Sequence, residues 1–192
     1  EAIASQGLRA KIMRVGNLAA RSTDGEFQIN FSTNSFMGRI KVYIMLGCCS
    51  HEMRMSQVEF SPINEVAQAI IKLASTPKEC NVFHPYNIHT QFLGDILSGL
   101  KKVTQGVQFV EMEQFNEAME QAKNHPTKAK LLSSLLAYQN MAHGQKTGDV
   151  KRNNDYTTQV LYRLGFNWSP TTWDYTERML KAIGGLGFFD IY

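Results

Sequence analysis

Residues 10–15 (Ala-Lys-Ile-Met-Arg-Val) form a short, largely apolar run that stops abruptly at Gly16-Asn17. A run so short and so sharply closed reads as a buried strand of an α/β sheet. Ligands of such sheets bind just beyond the carboxyl ends of the strands. There Gly16 allows backbone to approach a flat ligand closely, and Asn17 offers both a donor and an acceptor. On spacing alone, the same residues also read as an ordinary strand and turn.

The rest of the chain supports an α/β reading up to about residue 125. Residues 19–31 carry Ser22, Asp24, Gly25 and Asn30, which suggest a surface loop. From Ser35, Phe36, Met37, Ile40, Tyr43, Ile44 and Leu46 recur at helical spacing until Gly47, predicting an amphipathic helix with Arg39 and Lys41 outside. Its Met and aromatic face reads first as core and second as an adaptable wall for an acyl or peptidyl chain. Residues 58–63 alternate as a short strand ended by Pro62. Asn64 then reads as an N-cap and Glu65 as a favourable first-turn charge, opening a helix that runs through Leu73 and ends before Pro77. A strand at 81–84, a helix from 90 or 91 to about 102, a strand at 107–112 and a helix at 115–123 follow. This alternation is the pattern of an α/β domain.

Beyond Pro126 the strand signals vanish. Residues 128–143, 155–164 and 172–183 read as helices, the second opened by Asp155 as N-cap and stopped by Gly165. The expected division is therefore residues 1–125, strands and helices of an α/β domain, and residues 126–192, a helical cap. Residues 1–6 look like the tail of a helix stopped by Gly7, so the chain is expected to be a fragment of a longer domain.

Composition narrows the function classes. With 43% hydrophobic and 19% charged residues, the 192-residue chain has the make-up of a globular protein. Its net charge of +3 comes from interspersed residues of both signs, with no basic stripe for nucleic acid and no Lys/Arg run for a membrane surface. Cys48, Cys49 and Cys80 are too few and too adjacent for a disulfide framework or a zinc site, and point to a reducing, cytoplasmic compartment. The acceptor patterns at Asn30 and Asn167 occur without a visible secretory segment and are read as chance. His51-Glu52 is half of a zincin motif whose second histidine position holds Met55, and His84 and His89 lack a third ligand, so no metal site is assigned. No Ser, His and Asp set appears at recognisable spacing, and no catalytic residue is assigned.

Five segments together carry a resemblance: residues 11–18 (Lys-Ile-Met-Arg-Val-Gly-Asn-Leu), 58–67 (Val-Glu-Phe-Ser-Pro-Ile-Asn-Glu-Val-Ala), 82–85 (Val-Phe-His-Pro), 154–158 (Asn-Asp-Tyr-Thr-Thr) and 164–166 (Leu-Gly-Phe). In this order and spacing they resemble the C-terminal part of the terminal thioester reductase domains of bacterial nonribosomal peptide synthetases. The resemblance implies a Rossmann-like extended short-chain dehydrogenase/reductase domain with a helical substrate-binding subdomain. It also implies NADPH as cofactor, a peptidyl carrier protein with its phosphopantetheine thioester as partner, and release of an aldehyde or alcohol. Val15, Gly16 and Asn17 match positions beside the nicotinamide and substrate. More loosely, the resemblance implies substrate contact for the helix around Phe36, Met37 and Ile40.

The departures are equally specific. No glycines fit G-x-G-x-x-G or G-x-x-G-x-x-G, and no tyrosine is followed four residues later by lysine. Those elements are expected upstream of Glu1, which makes the chain alone an inactive fragment. An exposed strand edge is expected to drive homodimer formation or strand exchange. Two other readings stand beside this one: a different extended short-chain enzyme, such as a sugar-nucleotide epimerase or fatty acyl reductase, and a non-catalytic module that docks the carrier protein.

Overall fold

The computed structural model describes residues 10–28, 34–102, 104–129, 131–132 and 153–189. The helix expected at 1–6 and the Asn30 acceptor pattern lie outside the described residues. So does most of the helix expected at 128–143, of which 128–129 and 131–132 are helical. In chain order the elements are β1 (Ile12–Met13), β2 (Leu18–Ala19), α1 (Ser35–Leu46), β3 (Cys48–Ser50), β4 (Gln57–Glu59), β5 (Ser61–Pro62) and α2 (Ile63–Ala74). There follow β6 (Val82–Phe83), β7 (Thr90–Phe92), α3 (Leu93–Gly99), β8 (Gln108–Val110), α4 (Met112–Lys123), α5 (Asp155–Arg163) and α6 (Trp173–Gly184). Short 3-10 turns occupy His51–Met55 and Leu100–Lys102. They assemble into two compact units, the first drawn from residues 1–24, 59–90 and 151–171, the second from 25–58, 91–150 and 172–192.

In the first unit two parallel strand pairs lie under α2 and α5. β1 pairs with β6 in the register Ile12↔Val82 and Met13↔Phe83, and β2 pairs with β5 through Leu18↔Ser61 and Ala19↔Pro62. Parallel pairs need covering helices. α2 supplies one: Val66, Ala69 and Leu73 fall on one stripe and pack with Phe83, with Leu161 of α5, and with Phe166 and Trp168 beyond it. The Phe166 and Trp168 rings meet edge to face, 5.0 Å apart at 89°. The Lys72 ammonium donates to the Leu164 carbonyl at 2.9 Å, complementing the C-terminus of α5, and Gly165 follows at φ +70°, as expected of a helix stop.

Two expected caps are corrected. α2 begins at Ile63 with Pro62 in the cap position, whose φ of −58° is fixed by its ring. Asn64 lies in the first turn, and its amide instead ties down a loop: Oδ1 accepts the Ser22 N–H at 3.0 Å and Nδ2 donates to the Ser22 hydroxyl at 3.0 Å. Likewise Asp155 is the first residue of α5, with Asn154 in the cap position.

In the second unit, α1 has the boundaries the periodicity predicts. The Asn34 side chain accepts the Met37 N–H at 3.1 Å, and Gly47 ends the helix at φ +68°. β3 and β8 pair in parallel through Cys48↔Gln108, Cys49↔Phe109 and Ser50↔Val110. Arg39 was expected outside and is instead 7% exposed. Its guanidinium sits 5.7 Å from the ring centre of Tyr43, one turn along the same face. Lys41 is half-buried, with its ammonium 5.4 Å from the Phe188 ring. The helix expected to start at residue 90 or 91 starts at Leu93. Thr90–Phe92 is extended, and the Leu93 N–H donates to the Ser56 carbonyl at 2.9 Å.

Candidate functional site

The loop that follows β1 is built by hydrogen bonds at both ends. The Arg14 N–H donates to the Phe83 carbonyl at 2.9 Å, extending the β1–β6 ladder by one rung. Val15 is then 40% exposed, Gly16 half-buried and Asn17 exposed. The backbone groups of Val15 and Gly16 make no hydrogen bond among the described residues. Asn17 is held three ways: its N–H donates to Glu59 Oε2 at 2.9 Å, its Nδ2 to the Glu59 carbonyl at 3.3 Å, and its carbonyl accepts the Ser61 N–H at 2.9 Å.

Behind this loop lies a layer of buried polar side chains. Ser61 (0% exposed), Asn87 (1%) and Thr157 (2%) are closed to water, yet each has a partner. The Ser61 hydroxyl donates to Glu59 Oε1 and accepts the Asn87 N–H at 2.9 Å. Asn87 Nδ2 donates to the Ser169 carbonyl at 3.0 Å, while its Oδ1 accepts the His89 N–H at 2.9 Å. Thr157 Oγ1 accepts the His84 N–H at 2.8 Å, and Asn154 Nδ2 donates to the Tyr86 carbonyl at 2.9 Å. Glu65, 6% exposed, accepts the Ser169 N–H at 3.0 Å. The large majority of buried polar groups in proteins are paired in this way.

Gly16 fits this layer because it lacks a side chain. A Cβ there would lie 2.5 Å from Tyr86 Cβ and 2.7 Å from both Glu59 carboxylate oxygens. The close approach that the glycine permits is thus to the chain's own Glu59 and Tyr86.

The residues expected on the substrate side belong to the second unit. Met37 and Ile40 are each 1% exposed within its core, and Phe36 beside them is half-buried. Nearby, burial pushes the Cys49 thiol up to about 11 against a smaller pull from Arg39. Burial raises the Tyr43 phenol as well. Neither is poised as a nucleophile or acid near neutral pH. Among the described residues no cluster of three His, Cys, Asp or Glu side chains could hold a metal ion, and no helix is long and apolar enough to cross a membrane.

Sequence reasoning singled out Val15, Gly16 and Asn17 and passed over Glu59, Ser61, Asn87, Asn154 and Thr157. Four of those five lie inside the quoted segments 58–67 and 154–158, and the fifth lies two residues past 82–85. Four of the five segments that carry the resemblance meet around the loop, and the fifth, 164–166, packs against α2.

No protein-family model and no curated protein matches the chain. Solved structures do. A thiolation-reductase di-domain from an archaeal nonribosomal peptide synthetase superposes with a TM-score of 0.85 at 31% identity, covering 98% of this chain and 38% of that one. The reductase domain of the aureusimine biosynthetic cluster gives 0.71 at 20% identity over 97% of this chain and 47% of its own. The reductase domain of a nonribosomal peptide synthetase from Mycobacterium tuberculosis gives 0.65 at 15% over 93% and 46%. The last two share the fold, and this chain spans less than half the length of each of the three. With an α/β fold of the extended short-chain dehydrogenase/reductase type and 31% identity along 98% of its length to the archaeal thiolation-reductase di-domain, the chain is similar to part of the reductase domains of nonribosomal peptide synthetases.

Proposed function

We propose that the chain is the C-terminal, substrate-binding part of an NADPH-dependent thioester reductase that releases a carrier-bound peptidyl thioester as aldehyde or alcohol. The observation that carries this reading is the convergence of the segments 11–18, 58–67, 82–85 and 154–158 on one loop at the carboxyl end of β1, where α/β sheets bind ligands.

The loop suits the carboxamide end of a nicotinamide. The Val15 and Gly16 backbone groups, without hydrogen-bond partners among the described residues, supply donors and acceptors for a primary amide. Asn17, held through its N–H and Nδ2, keeps its Oδ1 as a further acceptor. When bound, the cofactor supplies hydride to the thioester carbon. The glycine-rich turn that holds a pyrophosphate and the tyrosine–lysine pair that stabilises the oxyanion are not among these 192 residues. Cofactor affinity and proton donation are therefore assigned to other parts of the reductase, and the chain alone is expected to be inactive. On the substrate side Phe36 is the accessible residue of the trio, with Met37 and Ile40 shaping the wall behind it. The partner in this reading is a peptidyl carrier protein with its phosphopantetheine arm, acting in the cytoplasm.

The test is Asn17→Ala in a reductase domain that contains this chain. Loss of one positioned hydrogen bond, about 1–3 kcal/mol, lowers kcat/KM by about 5- to 150-fold with the fold intact. An unchanged kcat/KM would count against the assignment.

A further inference from the structure

We infer that Glu59 is a positioning residue that aims the Gly16 carbonyl at the cofactor. This role presupposes that the loop faces the nicotinamide, as proposed above. The geometry behind it is independent of any ligand. Glu59 Oε2 accepts the Asn17 N–H at 2.9 Å. The peptide joining Gly16 to Asn17 is planar and trans, so the direction of the Asn17 N–H sets that of the Gly16 C=O, which points the opposite way. Anchoring one end of that peptide orients the other.

The anchor is itself held. Glu59 Oε1 accepts the Ser61 hydroxyl, whose oxygen accepts the Asn87 N–H at 2.9 Å, and the Ser61 N–H returns to the Asn17 carbonyl at 2.9 Å. Asn17, Glu59 and Ser61 thus form a closed ring of hydrogen bonds, with two of its members reaching the carboxylate. Bonds to a carboxylate are roughly twice as strong as neutral ones. The Glu59 carbonyl adds a bond from Asn17 Nδ2 at 3.3 Å, and both carboxylate oxygens lie against Gly16, 2.7 Å from where a Cβ would stand. Rotating the Gly16–Asn17 peptide requires breaking the ring and pushing into Glu59.

Two substitutions separate positioning from simple scaffolding. Glu59→Ala removes the acceptor. Glu59→Gln keeps it, because its Oε1 can take the Asn17 N–H while its Nε2 donates to Ser61 Oγ. Amide hydrogen exchange on the 192-residue chain without cofactor should show the Asn17 N–H exchanging at least tenfold faster in Glu59→Ala and within threefold of wild type in Glu59→Gln. In the reductase domain containing this chain, Glu59→Ala should lower kcat at least tenfold with the KM for the carrier thioester within twofold, and Glu59→Gln should recover most of it. Unchanged Asn17 exchange in Glu59→Ala overturns the clamp. Faster exchange with unchanged kcat, or equal damage in both variants, overturns the positioning role. Should Glu59→Ala fail to fold, Ser61→Ala serves in its place: it must speed Asn17 exchange and lower kcat, or the inference fails. A wild-type domain without NADPH-dependent thioester reduction would instead remove the functional reading, leaving the exchange result to report on the ring alone.

Discussion

Gly16→Ala isolates the physical reason for a glycine at the turn. The added methyl would stand 2.5 Å from Tyr86 Cβ and 2.7 Å from both Glu59 oxygens, against an ordinary carbon–carbon contact of about 3.5–4.0 Å. Neither neighbour yields easily. Tyr86 Cβ is attached to backbone whose N–H donates to the His84 carbonyl at 3.0 Å and whose carbonyl accepts from Asn154 at 2.9 Å. The Glu59 carboxylate is engaged by Asn17 and Ser61. Overpacking costs about 1–3 kcal/mol and a weakened bond to a charged acceptor about 1.5–3, offset by about 0.4–1 from the stiffer unfolded chain, for a net loss of about 1.5–5.5 kcal/mol. In a chain of this size, at about 2–4 °C per kcal/mol, that lowers Tm by roughly 3–22 °C, measurable by urea and thermal unfolding followed by circular dichroism. Gly165→Ala is the control: its φ is +70° and nothing lies within 4 Å of its Cβ, so only the left-handed penalty of about 1–2 kcal/mol applies. A Gly16→Ala loss below about 0.5 kcal/mol, the reach of an ordinary surface substitution, would refute the crowding argument.

Two further outcomes follow from burial. Glu65→Ala should cost about 1–3 kcal/mol, since the 6%-exposed carboxylate accepts the Ser169 N–H at 3.0 Å and sits in the first turn of α2; urea unfolding of Glu65→Ala and Glu65→Gln measures it, and the glutamine should lose less. Cys49, raised from an ordinary value of 9.0 to about 11, should resist iodoacetamide at pH 8 until the chain unfolds, while half-buried Cys80 is alkylated first, as peptide mass mapping would show. Because the folded state holds this proton more tightly, its contribution to stability is complete below pH 9 and is lost as pH rises towards 11.

Helix α1 was fully legible because its signals are local: six apolar residues at helical spacing and a glycine, found at φ +68°, where the pattern stops. The strands at 10–15, 58–63, 81–84 and 107–112 were legible in place but not in length, whereas β2, β3 and β7 carried no strand signal that was read. Residues 10–15 read as one strand, yet only Ile12–Met13 qualifies, because extension of a parallel strand depends on partners outside the segment. Arg39 was misplaced for a similar reason. Charge argues for the surface, and only the fold reveals that Tyr43 and the surrounding core receive its guanidinium. Asn64 carried a strong capping signal that lost to a tertiary competitor, the Ser22 loop 42 residues earlier. The loop at Val15–Asn17 was visible from composition. Its supports were not, since hydrogen bonds linking residues 26 to 82 positions apart leave no periodicity.

The supports also bear on why the chain retains them. Ser61, Asn87 and Thr157 lie at 0–2% exposure, where well-packed apolar residues of similar volume are often as stabilising as a satisfied polar group. Stability alone therefore gives little reason for the layer. Orientation does: each of its bonds has a direction, so together they restrict the loop above to one arrangement, whereas an apolar cluster would restrict only its volume. The hydride transfer proposed for the intact reductase needs such restriction, because the reacting atoms must be held about 3–3.5 Å apart and a displacement of about 1 Å can cost about a hundredfold in rate. A directional buried layer beneath an exposed turn, at the carboxyl end of a parallel strand, suits the proposed task of aiming a flat ring and not merely covering it.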